Sequence, residues 1–176
     1  MKGWRPDLLI ALAALIVSGL TAFSALYQTR MYAEQFSATE WPYLSFNATA
    51  SPTTFQLYLA NDGVGPAIID SAQVLLDGVP VRSVVVALHK MHLLGRKFNY
   101  GSIEPGQVIR PGASALILKA TLPNVAGRLG PAYQRVEVHV YYCSLLNRCW
   151  LVRLHSSDRP TEVTGQSYPH TSIAAE

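Results

Sequence analysis

The most pronounced hydrophobic segment of the sequence lies close to its N-terminus. Residues 8–27 contain no charged side chain, and the few polar residues among them are Ser18, Thr21 and Ser24. An α-helix of this length extends over about 30 Å, which is the thickness of the hydrocarbon core of a bilayer. A helix on the surface of a soluble domain needs a polar face, and this segment has none. The pattern therefore predicts a transmembrane helix over residues 8–27.

The charges that flank this segment predict the direction in which it crosses the membrane. Lys2 and Arg5 precede the apolar run, whereas its other flank offers Arg30 with two glutamates soon after it. Positive residues favour the cytoplasmic side of a membrane. We therefore expect residues 1–7 in the cytoplasm and the rest of the chain on the far side.

A cleaved signal peptide is the alternative interpretation of the same segment. Ala22-Phe23-Ser24 could provide the small residues of a cleavage site. The apolar run is, however, longer than the ~7–15 residues of a signal-peptide core. Residues 29–35 contain no helix breaker, so the helix can continue into a polar extension. We expect an uncleaved anchor over residues 8–27, followed by a stalk over residues 28–40.

Beyond the stalk, the hydrophobic pattern changes from continuous to alternating. Trp41-Pro42 ends any helix, because proline disfavours the α conformation in the residue before it. Apolar residues then recur at every second position in short runs that are separated by turn-forming residues, as is typical of β-strands. The predicted strands cover residues 43–46, 55–59, 68–76, 79–81, 108–109, 113–120, 135–143 and 150–154.

One segment between the strands has helical spacing instead. Val84, Leu88 and Met91 recur at intervals of three or four residues, and Gly95 is suited to cap a helix end. This spacing predicts a short helix over residues 83–94. The alternating strands around it predict the fold class, which is an immunoglobulin-like antiparallel β-sandwich with one short inserted helix.

The domain boundaries follow from the turns and the composition. Asp77-Gly78 is a strong hairpin signal, and Pro80 keeps the short strand after it at a sheet edge. Residues 159–176 are polar and rich in serine, threonine and proline, which predicts a disordered tail. The sandwich is therefore expected to occupy residues 41–158.

The remaining composition limits the classes of function. Only 14% of the 176 residues are charged, and the formal net charge is +3. Ordinary soluble proteins have about 25% charged residues, and part of the deficit lies in the apolar segment. The domain beyond it has no cluster of basic and aromatic residues, so nucleic acid is not an expected partner.

Two cysteines, Cys143 and Cys149, flank a short segment between two predicted strands. A hairpin of this length brings the strand ends within the ~4.4–6.8 Å Cα spacing of a disulfide. An oxidising compartment on the far side of the membrane would preserve that bond. Two free thiols are the alternative, and a redox-active pair is disfavoured by the absence of Cys-x-x-Cys spacing. We predict a structural disulfide.

The histidines are the main candidates for chemistry. His89 and His92 can share one face of the predicted helix, but a zinc site needs three or four protein ligands. They are weak metal candidates, and we expect no metal or other cofactor. His139 shares a strand face with Cys143, as in a Cys–His nucleophilic pair, but a disulfide would remove the thiolate. We therefore expect no catalytic residue.

The residues Asn61, Gly63, Gly65 and Pro66 form a dense turn signal between two strands. Pro66 lacks the backbone N–H that a bound phosphate would use, so a phosphate-binding loop is disfavoured. We expect a structural turn in which the glycines supply positive φ angles.

Several of these motifs occur together in a known group of sequences. The entry Trp41-Pro42-Tyr43-Leu44, the turn from Asn61 to Ala67 and the hairpin from Cys143 to Trp150 follow an N-terminal membrane helix. This combination resembles a group of uncharacterised bacterial single-pass envelope proteins, over most of residues 5–155. The resemblance implies an envelope protein and no catalytic residue.

These observations lead to one principal hypothesis and two alternatives. The principal hypothesis is a non-enzymatic interaction or scaffolding domain, anchored in the inner membrane of a Gram-negative bacterium and facing the periplasm. Its expected partners are the membrane and another envelope protein. The alternatives are a hydrolase or metal-dependent enzyme that uses His89, His92 or His139, and a sensor that binds a small ligand beside the helix over residues 83–94.

Self-association through the membrane helix is a further hypothesis. Ala14, Ser18 and Ala22 lie four residues apart and form a stripe of small side chains, which lets two membrane helices approach closely. The alternative explanation is that alanine and serine are common in membrane helices.

Overall fold

The computed structural model describes residues 6–93, 98–156 and 159–164. The chain forms two compact units, residues 1–39 and residues 40–176. The first unit is one α-helix, α1 (Pro6–Thr39). The hydroxyl groups of Ser18 and Thr21 each donate a hydrogen bond of 2.7 Å to the carbonyl four residues earlier. These bonds satisfy polar groups that lipid could not.

The apolar part of α1 is long enough to cross a membrane. Within the described residues one helix meets this condition, over Pro6–Tyr32, with a mean hydropathy of 2.3. The predicted anchor over residues 8–27 lies inside it. The predicted stalk is helical as far as Thr39.

The second unit is built mainly of short strands. Its elements in chain order are β1 (Leu44–Ala50), β2 (Thr54–Asn61), β3 (Ala67–Leu76), β4 (Val79–Val81), α2 (Val84–Lys90), β5 (Phe98–Tyr100), β6 (Val108–Ile109), β7 (Ser114–Thr121), α3 (Val125–Tyr133), β8 (Val136–Cys143), β9 (Cys149–Arg153) and β10 (Thr161–Val163).

The strands form two antiparallel sheets that pack against each other. One sheet has the order β1-β2-β7-β5, and the other has the order β10-β9-β8-β3-β4, with β6 paired to β3. With β1 as strand A, these orders correspond to the ABED and GFCC′ sheets of an immunoglobulin-type sandwich, to which β10 adds an edge. The predicted fold class is therefore confirmed.

Alternation along the strands builds the core between the sheets. On β2, Phe55, Leu57 and Leu59 are buried, while the residues between them are partly exposed. On β8, Val138 and Val140 are fully buried. Burying each such side chain contributes about 1.5–3 kcal/mol relative to leaving it in water. The alternation of apolar residues that predicted these two strands thus marks the face that the structure buries.

The predicted hairpin at Asp77-Gly78 is also confirmed. Asp77 has a φ angle of 52° and Gly78 of 78°, so both central residues are left-handed, as a two-residue type I′ turn requires. The edge strand β4 follows it directly and contains Pro80.

The predicted helix over residues 83–94 is wrong at its C-terminal end. Ser83 caps the helix through a bond from the Val86 N–H to its hydroxyl, but the last helical residue is Lys90. His92 adopts a left-handed φ of 57° and closes a Schellman-type end, in which the Leu93 N–H donates to the Leu88 carbonyl. The predicted cap Gly95 lies outside the described residues.

The prediction missed three elements: α3, β5 and β10. The strand β10 pairs with β9, so the predicted disordered tail over residues 159–176 is wrong for Thr161–Val163. Residues 165–176 lie outside the described residues. The helix α3 contains two glycines and Pro131, which are poor helix formers. It is stabilised by the burial of Val125 and Leu129 in the core.

Candidate functional site

The side chain of Asn61 is fully buried at one end of the sandwich, where it makes four hydrogen bonds. Its Oδ1 accepts hydrogen bonds from the backbone N–H groups of Tyr43 (3.2 Å) and Gly63 (3.0 Å). Its Nδ2 donates to the carbonyl groups of Gly65 (2.8 Å) and Ile109 (2.9 Å). All donor and acceptor groups of the amide are engaged, so Asn61 joins the start of β1, its own turn and β6.

The glycines of this turn allow close approach of two backbone segments. A Cβ atom on Gly63 would lie 2.4 Å from the Tyr43 nitrogen, and one on Gly65 would lie 2.2 Å from the Glu40 carbonyl oxygen. Neither glycine has a positive φ angle, since the glycines with positive φ are Gly78, Gly106 and Gly112. The predicted structural turn is present, but its predicted positive φ angles are wrong.

The Tyr142 side chain ties the first strand to the opposite sheet. It is fully buried, and its hydroxyl accepts a hydrogen bond of 3.2 Å from the Leu44 N–H. Burial raises the pKa of Tyr142 far above its usual value, so the hydroxyl stays neutral at all physiological pH values. Sequence reasoning placed Tyr142 in a strand and missed this role.

The predicted disulfide between Cys143 and Cys149 is present. The two residues are directly opposed on β8 and β9, with their Cα atoms 4.0 Å apart. This spacing is below the predicted range and close to the ~4.5 Å of a narrow, non-hydrogen-bonded pair.

The five residues inside the disulfide loop are held by further bonds. The Ser144 N–H donates to the Arg148 carbonyl (2.8 Å), and the Asn147 N–H donates to the Ser144 carbonyl (3.1 Å). The guanidinium of Arg148 makes two hydrogen bonds of 3.0 Å to the Glu162 carboxylate. This braced hairpin nevertheless exposes two neighbouring leucines, Leu145 (57%) and Leu146 (43%).

The structure does not bring the candidate histidines into a metal site. His89 is in the last turn of α2, but His92 lies beyond the helix end, so the prediction of a shared helix face is wrong. Among residues 6–93, 98–156 and 159–164, no group of three or more His, Cys, Asp or Glu side chains is arranged to hold a metal ion.

His139 lies on β8 beside charged neighbours. Its Nε2 is 3.4 Å from a carboxylate oxygen of Glu137, and Arg153 is its partner on β9. Burial is the main cause of its lowered pKa, Arg153 lowers it further, and Glu137 acts in the opposite direction. The thiol that a nucleophilic pair would need is consumed by the disulfide, because Cys143 is bonded to Cys149.

A histidine that was not predicted to matter has a clear structural role. The Nε2 atom of His155 is 2.7 Å from the Tyr133 carbonyl oxygen and 3.2 Å from that of Val136. Carbonyl oxygens only accept hydrogen bonds, so Nε2 carries the proton. His155 therefore fastens the end of β9 to the junction between α3 and β8.

A small apolar cavity of about 30 Å³ lies beside α2. Side chains from both sheets and both short helices line it, and all but the tyrosine are purely apolar. The lining residues are Phe55, Leu57, Val84, Leu88, Leu118, Leu129, Ala132, Tyr133, Val136, Val138 and Leu154. Its lining exposes no polar atom, so a water inside it would lack polar partners.

The edges of the two sheets differ in how they are protected. The strands β4, β5 and β10 have three residues each, and they include Pro80 on β4 and Glu162 on β10. The edge strand β1 has seven residues, Leu44–Ala50, without proline, charge or bulge. Residues 47–50 are exposed. Proteins usually shorten, charge or interrupt such an edge, because it can pair with another chain.

Comparison of the sequence with models of known protein families and with curated proteins gives no match.

Proposed function

We propose that this protein is a membrane-anchored interaction module whose sandwich captures an extended segment of another envelope protein at the edge of β1. The unprotected β1 edge carries this proposal. Strand addition is a common mode of peptide recognition, in which backbone hydrogen bonds give affinity and alternating side chains give specificity. The module has no catalytic role in this proposal.

The backbone of β1 is oriented for strand addition. The Leu44 N–H donates to the Tyr142 hydroxyl rather than to β2, so it points away from β2. Backbone groups alternate in an antiparallel pair, so Phe46, Ala48 and Ala50 also direct their N–H and C=O groups outward. Within the described residues, no backbone hydrogen bond other than those of the β1–β2 pair reaches residues 46–50.

The proposed location is the periplasmic side of a bacterial inner membrane. The apolar helix α1 supplies the anchor, and the Cys143–Cys149 disulfide is a bond that persists in an oxidising compartment. The charges at Lys2 and Arg5 support a cytoplasmic N-terminus. The resemblance to single-pass envelope proteins supports the bacterial assignment.

Site-specific photocrosslinking in native membranes tests strand addition. A photoreactive residue at Ala50 of the full chain is expected to give a discrete adduct, whereas one at Val79 on the protected β4 edge is not. Ala48→Pro removes an outward N–H without removing a β1–β2 hydrogen bond, and is expected to abolish the Ala50 adduct.

Ala48→Val is the matched control, because it keeps the N–H and suits a strand. It is expected to retain the adduct. An adduct that survives Ala48→Pro, or that also forms at Val79, contradicts the proposal.

A second candidate function is that of a sensor for a small apolar molecule. The cavity beside α2 favours it, because Val84 and Leu88 of that helix line the cavity. Its size limits the ligand to a few heavy atoms unless α2 moves. Leu88→Ala enlarges the cavity and is expected to increase the binding of xenon or benzene, as monitored by methyl chemical shifts. Unchanged shifts in both proteins exclude this candidate.

A further inference from the structure

Exposed apolar side chains are concentrated at one end of the sandwich. Within the described residues of the second unit, six large hydrophobic side chains are exposed, and all but Val79 lie at the end where the chain enters the domain. We name these five residues the entry-end cluster: Trp41 (47% exposed), Val64 (64%), Val108 (53%), Leu145 (57%) and Leu146 (43%).

Backbone contacts place the members of the cluster at the same end. The Val64 N–H donates to the Trp41 carbonyl over 3.1 Å. Val108 is paired with Ile68, and Ile68 is paired on its other side with Cys143. The hairpin that carries Leu145 and Leu146 follows Cys143 directly. Four separate segments of the chain therefore meet at this end.

We infer that the entry-end cluster docks on the lipid surface of the membrane in which α1 is anchored. Tryptophan and leucine are suited to the interfacial layer of a bilayer. Exposed apolar patches on a folded domain mark protein or membrane contacts. This inference rests on the proposed membrane anchor, but it concerns a surface other than the β1 edge, so strand addition at β1 and docking of the cluster can fail separately.

The length of α1 keeps this end of the domain near the membrane. Its 34 residues extend over about 51 Å, of which about 30 Å lies in the hydrocarbon core. In the proposed anchor, at most about 20 Å of helix therefore separates the hydrocarbon core from Glu40, the first residue of the second unit. Such tethering gives a high effective concentration, so a cluster of five side chains needs only weak intrinsic affinity.

Tethering favours the bilayer over a second copy as the occupant, because each anchored chain always has the membrane within reach of its own domain. The disulfide-bonded hairpin that carries Leu145 and Leu146 is already ordered, so it loses little conformational entropy when it docks on a surface.

Fluorescence quenching in vesicles tests the inference with the full chain. The protein is reconstituted in phosphatidylcholine and phosphatidylglycerol vesicles, with and without bromine on the acyl chains. Trp4→Phe in all samples leaves Trp41 and Trp150 as emitters, and Trp150 is buried in the core (5% exposed). We expect a quenched, blue-shifted component from Trp41 that is lost in the further variant Trp41→Phe.

The paired substitutions Leu145→Ser and Leu146→Ser are expected to reduce this quenching, whereas Val79→Ser at the opposite end is not. High salt is expected to leave it unchanged, because the contact is apolar rather than electrostatic. Equal Trp41 emission in brominated and unbrominated vesicles overturns the inference and assigns the cluster to a protein partner. Quenching that Leu145→Ser and Leu146→Ser do not alter overturns it as well.

Discussion

The two ends of the sandwich are built on different physical principles, although both carry Asp-Gly in the sequence. At the entry end, the turn after Asn61 is held by buried hydrogen bonds and by close contact with residues 40–43. At the opposite end, the Asp77-Gly78 turn has left-handed φ angles at both residues and is open to solvent, and the bonds between Asp77 and the distant Arg135 lie at the exposed surface. The same dipeptide is thus a buried tertiary junction in one place and an exposed hairpin in the other.

This difference predicts how strongly substitutions at each end destabilise the domain. A local turn depends on the two residues that form it, so substitutions there have limited cost. A tertiary junction fixes segments that are distant in the chain, so one side chain there carries several contacts. The entry end also carries the disulfide and the exposed cluster, and we expect it to be the more sensitive end.

Asn61→Ala is expected to have the largest effect. It leaves the Tyr43 and Gly63 N–H groups and the Gly65 and Ile109 carbonyls without their partner, which costs at least about 4 kcal/mol at about 1–3 kcal/mol for each group left unsatisfied. Urea unfolding of the full chain in detergent, followed by fluorescence, measures the change. The control Asn47→Ala, at an exposed position, should change stability by less than about 0.5 kcal/mol.

Alanine substitutions of two glycines compare the ends directly. Gly65→Ala forces a Cβ to 2.2 Å from the Glu40 carbonyl oxygen, and is expected to cost about 3 kcal/mol. Gly78→Ala meets open space at a φ of 78°, and is expected to cost about 1 kcal/mol from backbone strain. The same unfolding assay ranks them, and a larger loss for Gly78→Ala would refute the distinction between the two ends.

Removal of the disulfide by Cys143→Ser and Cys149→Ser is expected to cost about 2 kcal/mol, since the closed loop is short. A disulfide that closes a short loop removes less conformational entropy from the unfolded chain than one that closes a long loop, and so it stabilises the fold less. Thermal unfolding with and without reductant provides the measurement. Reductant should lower the Tm of the wild type and leave that of the double variant unchanged; a shift in both would point to another cause.

The smallest effect is expected from the ion pair at the opposite end. A side-chain hydrogen bond from Arg135 lowers the pKa of Asp77 below its ordinary 3.8, and the two side chains are about half exposed. Because the folded-state pKa is depressed, the pair stabilises the protein above the ordinary pKa. That stability is lost as the pH falls through the lower, folded-state value.

Asp77→Asn isolates this contribution, because asparagine keeps the left-handed turn and removes the charge. The wild type should be slightly more stable than the variant at neutral pH, and their stabilities should converge in strong acid. Added salt should shrink the neutral-pH difference. A difference that persists below the folded-state pKa of Asp77 would show that the charge is not its source.

Sequence patterns predicted the parts of this fold that depend on local periodicity. The alternation in β2 and β8, the apolar run of α1 and the hairpin at Asp77-Gly78 are each encoded within a few neighbouring residues. The disulfide was also predictable, because a short hairpin leaves its two ends little freedom of position.

The remaining features depend on partners that are distant in the chain. The amide of Asn61 reaches Tyr43 and Ile109, which are 18 and 48 residues away, and no local pattern indicates those contacts. The helix α3 forms against its own propensity because the core buries Val125 and Leu129. The unprotected edge of β1 became recognisable once the strand order showed which strands lie at the sheet edges.

The bond between the Leu44 N–H and the Tyr142 hydroxyl has a consequence for the order of assembly. It joins residues 98 positions apart, and the paired residues of β3 and β8 are also distant in the chain. Strand β1 is synthesised first among the strands, but it is not held in its final position until β8 has been synthesised as well. We therefore expect the sandwich to fold as a nearly complete polypeptide.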